Sequence, residues 1–119
     1  MAYTITKEFD FAASHQLDGL PDGHKCSRLH GHSYRVVVEL SALHLDEVGF
    51  IVDYGDLAPL KEYIDTRLDH RHLNDAVPIV NPTAENLARY LFDWCKANTT
   101  WPVSKVGVSE GPRTWAWYE

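Results

Sequence analysis

Three histidines and one cysteine near the start of the chain have the types and spacing of a metal-dependent active site. His30 and His32 flank a glycine, and alternate residues of a β-strand point to the same face. Two imidazoles on one face can bind a single zinc ion. Cys26 stands four positions before His30. We interpret it as a nucleophile or base, with a role as fourth metal ligand as the alternative.

A third histidine, His15, ends a run that begins at Tyr3 and alternates apolar with polar residues. This period predicts a half-buried antiparallel strand. The run from His30 to Leu40 alternates in the same way. If the two strands pair through their apolar faces, His15, His30 and His32 converge at one end of the pair. Three histidines with an open fourth position are typical of catalytic zinc, with copper, nickel or iron as alternatives.

Length and composition limit the class of protein. With 119 residues, 45% hydrophobic and 24% charged, the chain is expected to form one globular domain, residues 1–119. The net charge of −6 and the absence of a lysine or arginine cluster argue against a nucleic-acid surface. No run predicts a signal peptide or a membrane span. Only Cys26 and Cys95 are present, so no disulfide framework is expected and the cytoplasm is the expected compartment.

Two stretches in the middle of the chain predict helices. The first covers residues 53–68, and its cap is expected at Asp53 or Asp56 because Pro59 fits only near a helix start. The second begins after Thr83, a natural capping residue, and carries its apolar residues on one stripe.

A second hairpin is predicted at the end of the chain, from residues 103–110, a turn at Gly111-Pro112, and residues 114–118. Together with the first hairpin, this predicts an α+β fold of ββααββ order. Its four-stranded antiparallel sheet would carry two helices on one face. Such a sheet has exposed edges, so we expect chains to associate through their edge strands.

A set of motifs occurs in order along the chain, at residues 9–15, 26–32, 49–53, 68–70, 73–74, 81–87 and Glu110. Taken together, these motifs resemble the 6-pyruvoyl-tetrahydropterin synthase family over essentially the whole chain. Within the family, the gap of three residues between Cys26 and His30 resembles the bacterial branch, which forms 6-carboxy-5,6,7,8-tetrahydropterin.

The resemblance implies the T-fold, also called the tunnelling fold, in which subunits join their sheets into a barrel. It implies a homo-hexamer of two stacked trimers with active sites at the subunit interfaces. It also implies that His15, His30 and His32 bind Zn²⁺, in agreement with the argument from strand faces.

Roles for further residues come from the resemblance alone. It implies that Cys26 is catalytic, that Asp69 and His70 relay its proton, and that Glu110, with a contact from Thr83, binds the pterin. Without the family, Asp69 and His70 would be interpreted as an ion pair at a helix end. Glu110 would be a solvated residue beside a turn, and capping would fully explain Thr83.

The implied substrate is 7,8-dihydroneopterin triphosphate. It would be converted to 6-carboxytetrahydropterin with release of acetaldehyde and triphosphate, a step towards queuosine and other 7-deazapurines. Two alternatives remain open. One is 6-pyruvoyltetrahydropterin synthesis, which eliminates triphosphate only, and the other is a metal- or pterin-binding module without catalysis. The presence of Cys26 and of the Asp69-His70 pair argues against the module.

Overall fold

The fold is α+β, as the sequence predicts, and the computed structural model describes all 119 residues. One mixed sheet has the strand order β3-β1-β2-β4-β5, in which only β3 runs parallel to its neighbour. The elements in chain order are β1 (Tyr3–His15), β2 (His30–Ala42), α1 (Ala58–Arg67), β3 (Arg71–His72), α2 (Leu73–Ala76), α3 (Ala84–Asn98), β4 (Val103–Gly111) and β5 (Thr114–Tyr118).

The prediction of four strands and two helices is wrong because it misses one short strand, β3, and one short helix, α2. β3 has two residues and α2 has four. Neither is long enough to show an alternating or helical pattern in the sequence, because both periods need several residues to repeat. β3 nevertheless completes one edge of the sheet, since it pairs with Ala13 and Ser14 at the end of β1.

The β1–β2 hairpin is the framework of the molecule, with both strands 13 residues long. Its register pairs Phe9 with Val36, Phe11 with Tyr34, and His15 with His30. The alternating apolar residues on one face are buried under the helices, including Phe9, Phe11, Tyr34, Val36, Val38 and Leu40. Burial of this face fixes the register, because a slip by one residue would expose every one of these side chains.

The first predicted helix begins differently from the prediction. Of the two predicted caps, Asp53 is the one that forms. It accepts a hydrogen bond from Gly55 N–H at 2.8 Å. The first turn, Tyr54–Leu57, is a 3₁₀ helix, and α1 begins only at Ala58. Pro59 explains the change. It has no N–H to donate to the carbonyl of Gly55, which instead accepts from Ala58 N–H one residue earlier.

The second long helix and the last hairpin follow the prediction closely. Thr83 caps α3 by accepting from Asn86 N–H at 3.1 Å. The buried stripe of α3 consists of Leu87, Ala88, Leu91 and Cys95. In the hairpin, Gly111 pairs with Thr114, so the turn residues are Pro112 and Arg113, one position later than expected. No helix has the length and apolar character needed to cross a membrane.

Candidate functional site

The three histidines meet at one end of the β1–β2 hairpin, as the sequence predicts. The register places His15 directly opposite His30, with their Nε2 atoms 2.8 Å apart. The ligand atoms of His15, His30 and His32 all lie within 4.8 Å of one another. His15 is 1% exposed, so this cluster lies at the edge of the core.

Hydrogen bonds to backbone carbonyls orient two of the imidazoles. Nδ1 of His15 is 2.8 Å from the carbonyl oxygen of Pro82, and Nδ1 of His30 is 2.7 Å from that of Arg28. Because a carbonyl oxygen only accepts, both Nδ1 atoms carry the hydrogen, and the lone pairs of neutral imidazoles are left on Nε2. Two such lone pairs facing each other at 2.8 Å repel unless a cation lies between them. This arrangement is the usual orientation of histidines that bind a metal.

His32 completes a donor set that fits a metal ion. Its Nε2 atom is buried and makes no hydrogen bond. Burial is the largest cause that lowers the pKa of His32; Glu110 raises this pKa, and the neighbouring His15 and His30 lower it. His32 is therefore held in the neutral form that binds metals. The cluster can hold one ion through three imidazole nitrogens.

Cys26 lies near this cluster in sequence but is not part of it. It sits in the short 3₁₀ helix Lys25–Ser27, with a free and partly exposed thiol. Its backbone N–H donates to Nδ1 of His24 at 3.1 Å, and its carbonyl accepts from Leu17 N–H at 3.2 Å. The convergent ligand atoms come from the three histidines alone, so this arrangement gives no support to Cys26 as a fourth ligand.

The predicted Asp69-His70 pair is formed and is fixed to the edge of β1. Oδ2 of Asp69 is 2.9 Å from Nδ1 of His70, and its Oδ1 accepts from Ala12 N–H at 2.9 Å. The N–H of Ala12 and the neighbouring His70 both lower the pKa of Asp69. His70 is the one residue other than glycine with a positive φ, 58°, and its own N–H donates to the Ala12 carbonyl. Its side chain is 82% exposed.

The relay expected between Cys26 and the Asp69-His70 pair stays a prediction. No hydrogen bond or ion pair joins Cys26 to Asp69 or His70. The imidazole of His70 faces solvent beside β3, an edge strand. A thiol partner for this imidazole would therefore come from a second chain or from a rearrangement of the loop that carries Cys26.

Glu110 and Thr83 both lie next to the histidine cluster. Oε2 of Glu110, near the end of β4, is 3.6 Å from Nε2 of His32. Thr83 uses its hydroxyl oxygen to cap α3 and directly follows Pro82, whose carbonyl orients His15. The cap therefore helps to place the carbonyl that orients His15, and no contact in the chain requires a further role for Thr83.

Two asparagines, for which the sequence analysis predicts no role, fix the segment that follows His15. The side-chain amide of Asn74 bonds both backbone groups of Gln16, at 2.9 and 2.7 Å. The amide of Asn81 bonds both backbone groups of Asp18 in the same way, at 2.8 and 3.0 Å. Both asparagines fall in segments that resemble the family, but only the structure shows that they hold the chain beside the site.

Comparisons with known proteins agree with this geometry. The sequence profile of the family described as 6-pyruvoyl tetrahydropterin synthase matches residues 4–119. A protein named 6-carboxy-5,6,7,8-tetrahydropterin synthase from Synechocystis sp. is 40% identical over 76% of this chain and 72% of its own length. A protein of the same name from Haemophilus influenzae is 31% identical over 98% and 99% of the two chains.

A solved structure shows that the fold is shared. The 6-pyruvoyl tetrahydropterin synthase of Caenorhabditis elegans superposes with a TM-score of 0.87 and 27% identity, covering 100% of this chain and 96% of that one. The T-fold expected from the resemblance is therefore confirmed for the single chain.

Proposed function

Because the chain belongs to the 6-pyruvoyl tetrahydropterin synthase family, we propose that it is a zinc-dependent 6-carboxy-5,6,7,8-tetrahydropterin synthase. It would convert 7,8-dihydroneopterin triphosphate and water to 6-carboxytetrahydropterin, acetaldehyde and triphosphate, a step of queuosine or 7-deazapurine biosynthesis. The observation that carries the proposal is the convergence of His15, His30 and His32 beside Glu110. The names of relatives 31–40% identical favour the carboxypterin product.

His15, His30 and His32 would hold the zinc ion, which acts as a Lewis acid that lowers the pKa of substrate hydroxyls. The carboxylate of Glu110 can accept two parallel hydrogen bonds from the amino group and the ring N–H of a pterin. This pairing would orient the ring so that its side chain extends towards the histidine cluster.

Proton transfer would be performed by Cys26 and by the Asp69-His70 pair. A thiol that is partly exposed can give and take a proton at a substrate carbon, and an imidazole can do the same near neutral pH. Asp69 holds Nδ1 of His70, which leaves Nε2 free for proton exchange. Thr83 could add a hydrogen bond from its hydroxyl to the pterin.

We further propose that residues 1–119 form one catalytic domain that works as a cytoplasmic homo-hexamer, a dimer of trimers, with the sheets joined into a barrel. The lack of a hydrogen bond or ion pair between Cys26 and His70 within one chain supports a site shared between subunits. The free edges of β3 and β5 supply the unpaired backbone groups through which sheets of neighbouring subunits can pair.

Product analysis tests the proposed reaction. The purified protein is incubated with dihydroneopterin triphosphate, the pterin product is identified by mass spectrometry, and acetaldehyde is assayed in the same sample. We expect 6-carboxytetrahydropterin and acetaldehyde in equal amounts. Formation of 6-pyruvoyltetrahydropterin without acetaldehyde would replace this function with the alternative synthase, and the absence of any turnover would favour a binding module.

A further inference from the structure

We propose that Tyr34 is a positioning residue, whose hydroxyl holds the His15 imidazole in the orientation needed to bind the metal. The inference rests on the proposed metal site and not on the reaction performed there. Tyr34 is completely buried although its hydroxyl is polar, and this oxygen lies 3.2 Å from Nδ1 of His15. A buried hydroxyl is costly unless it is hydrogen-bonded.

The hydrogen bonds around His15 define what the hydroxyl does. Nδ1 of a neutral imidazole carries one hydrogen when Nε2 is the metal ligand, and the carbonyl of Pro82, 2.8 Å away, can only accept it. The oxygen of Tyr34 therefore accepts a share of the same N–H, in a three-centre hydrogen bond. Pro82 precedes α3 and Tyr34 belongs to β2, so the imidazole is held from the helix layer and from the sheet at once.

The ring of Tyr34 is itself fixed by packing. It stacks on Phe11 with ring centroids 4.9 Å apart and an interplanar angle of 10°. It also meets two imidazoles edge-on, at 6.1 Å for His15 and 5.5 Å for His32. Because the ring cannot move without disturbing these contacts, its hydroxyl is a fixed point against which His15 is oriented.

Replacing the tyrosine by phenylalanine isolates the contribution of the hydroxyl. Tyr34→Phe keeps the ring and its stacking on Phe11 but leaves the N–H of His15 with Pro82 alone. The chain offers a matched control in Tyr63, whose hydroxyl lies 2.6 Å from that of Tyr90 and whose ring packs on Trp94 at 4.8 Å. Tyr63→Phe removes a hydrogen-bonded phenol between α1 and α3, away from the histidines.

The test measures the zinc dissociation constant of the full-length protein by competition with a chromophoric chelator. Loss of a group that orients a metal ligand weakens metal affinity by about 10–100-fold. We expect an effect of this size for Tyr34→Phe and no change for Tyr63→Phe. Thermal denaturation of the metal-free proteins is recorded alongside, because a purely structural role would lower the Tm of both variants and leave zinc affinity unchanged.

The possible outcomes separate this inference from the proposed function. Equal zinc affinity of Tyr34→Phe and wild type would overturn the inference, whether or not the protein makes carboxypterin. If Tyr34→Phe does not fold, the inference is tested on the wild type instead, by NMR of the zinc-loaded protein labelled with ¹⁵N-histidine. The proton at Nδ1 of His15 should then show a nuclear Overhauser effect to the ring protons beside the Tyr34 hydroxyl, and the absence of this effect would equally overturn the inference. A wild type that binds zinc but forms no pterin product would contradict the proposed function alone.

Discussion

Oε2 of Glu110 lies 3.6 Å from Nε2 of His32, although the two residues belong to different strands. The distance is too long for a hydrogen bond, so neither group is the hydrogen-bond partner of the other. The carboxylate that we propose for the pterin and an imidazole that we propose for the metal are therefore immediate neighbours. A pterin ring paired with Glu110 would have its side chain within reach of the ion.

Glu110→Gln should weaken pterin binding while zinc content stays at the wild-type level. The substitution turns one acceptor oxygen into a donor that faces the N–H groups of the pterin, and it removes a charge-assisted pair. The expected loss is on the order of 1–3 kcal/mol. Quenching of tryptophan fluorescence by unsubstituted pterin measures it. The control is Glu119→Gln at the exposed C-terminus, and equal affinity of both variants would exclude Glu110 as the anchor.

His30→Ala should abolish metal binding and activity together. The wild type is expected to contain about one zinc ion per chain, because three imidazoles can supply the ligands of an open tetrahedral site. Removal of His30 leaves only two ligands. Inductively coupled plasma mass spectrometry gives the zinc content. The control His44→Ala, in an exposed loop after β2, should keep both metal binding and activity. A wild type that is active without metal would contradict the proposed mechanism.

Alkylation of the native protein should modify Cys26 and leave Cys95 intact. Burial raises the pKa of the Cys95 thiol to about 12, so that it is neither ionised nor accessible, whereas Cys26 is partly exposed. Peptide mass mapping after iodoacetamide treatment identifies the modified residue.

Cys26→Ala should then lower turnover by about 10²–10⁴-fold, the usual cost of losing a positioned acid or base. Zinc content and pterin affinity should both be retained. If the variant loses its zinc, the alternative in which Cys26 is a fourth metal ligand is correct.

Mixed assemblies should reveal whether the site is shared between subunits. Light scattering is expected to show several chains per particle, six in the proposed hexamer. Cys26→Ala and His70→Ala should each be inactive, but unfolding and refolding them together should restore part of the activity, because some interfaces then contain one intact Cys26 and one intact His70. An active monomer, or no recovery in mixed oligomers, would place the complete site in one chain.

Asp46 should contribute stability that depends on pH. The N–H of Phe50, followed by those of Gly49 and Val48, lowers the pKa of this carboxyl. A carboxyl whose pKa is lower in the folded chain stabilises the fold above its unfolded pKa of 3.8 and loses this effect as pH falls through the folded value. Asp46→Ala should therefore lower the urea midpoint at pH 7 and lower it less at pH 3. Glu47→Ala, at an exposed position with no side-chain hydrogen bond, is the control and should lack this pH dependence. If Asp46→Ala lowers the urea midpoint equally at both pH values, the proposed contribution of Asp46 is excluded.

The hairpin that carries the histidines was predictable because its pattern is long and regular. The alternation from Tyr3 to His15 gave the bounds of β1, and the apolar face gave the convergence of the three imidazoles before any contact was known. The short elements were missed for the opposite reason. β3 and α2 are held by neighbours distant in sequence, as when Asn74 of α2 bonds Gln16, and local patterns do not contain such contacts.

The groups that orient the site had no signal in the sequence. Every residue has a carbonyl, so nothing in the types of Pro82 or Arg28 indicates that their oxygens fix His15 and His30. Tyr34 fits the apolar face of β2 so well that its hydroxyl needed no further explanation. The relay between Cys26 and His70 stays a prediction, because a single chain does not join these residues.

The pairing of His15 with His30 also determines where this protein can gain or lose residues during evolution. Within β1 or β2, one inserted residue would turn every side chain beyond it to the opposite face, and the histidine at that strand's end would leave the cluster. The loop between the two strands has no such constraint, because its length does not alter the register of the strands. Asn74 and Asn81 hold Gln16 and Asp18, and the Arg28 carbonyl orients His30, so insertions and deletions should accumulate between Gly19 and Gly23. There they would reshape the surroundings of Cys26 while the three imidazoles stay in place.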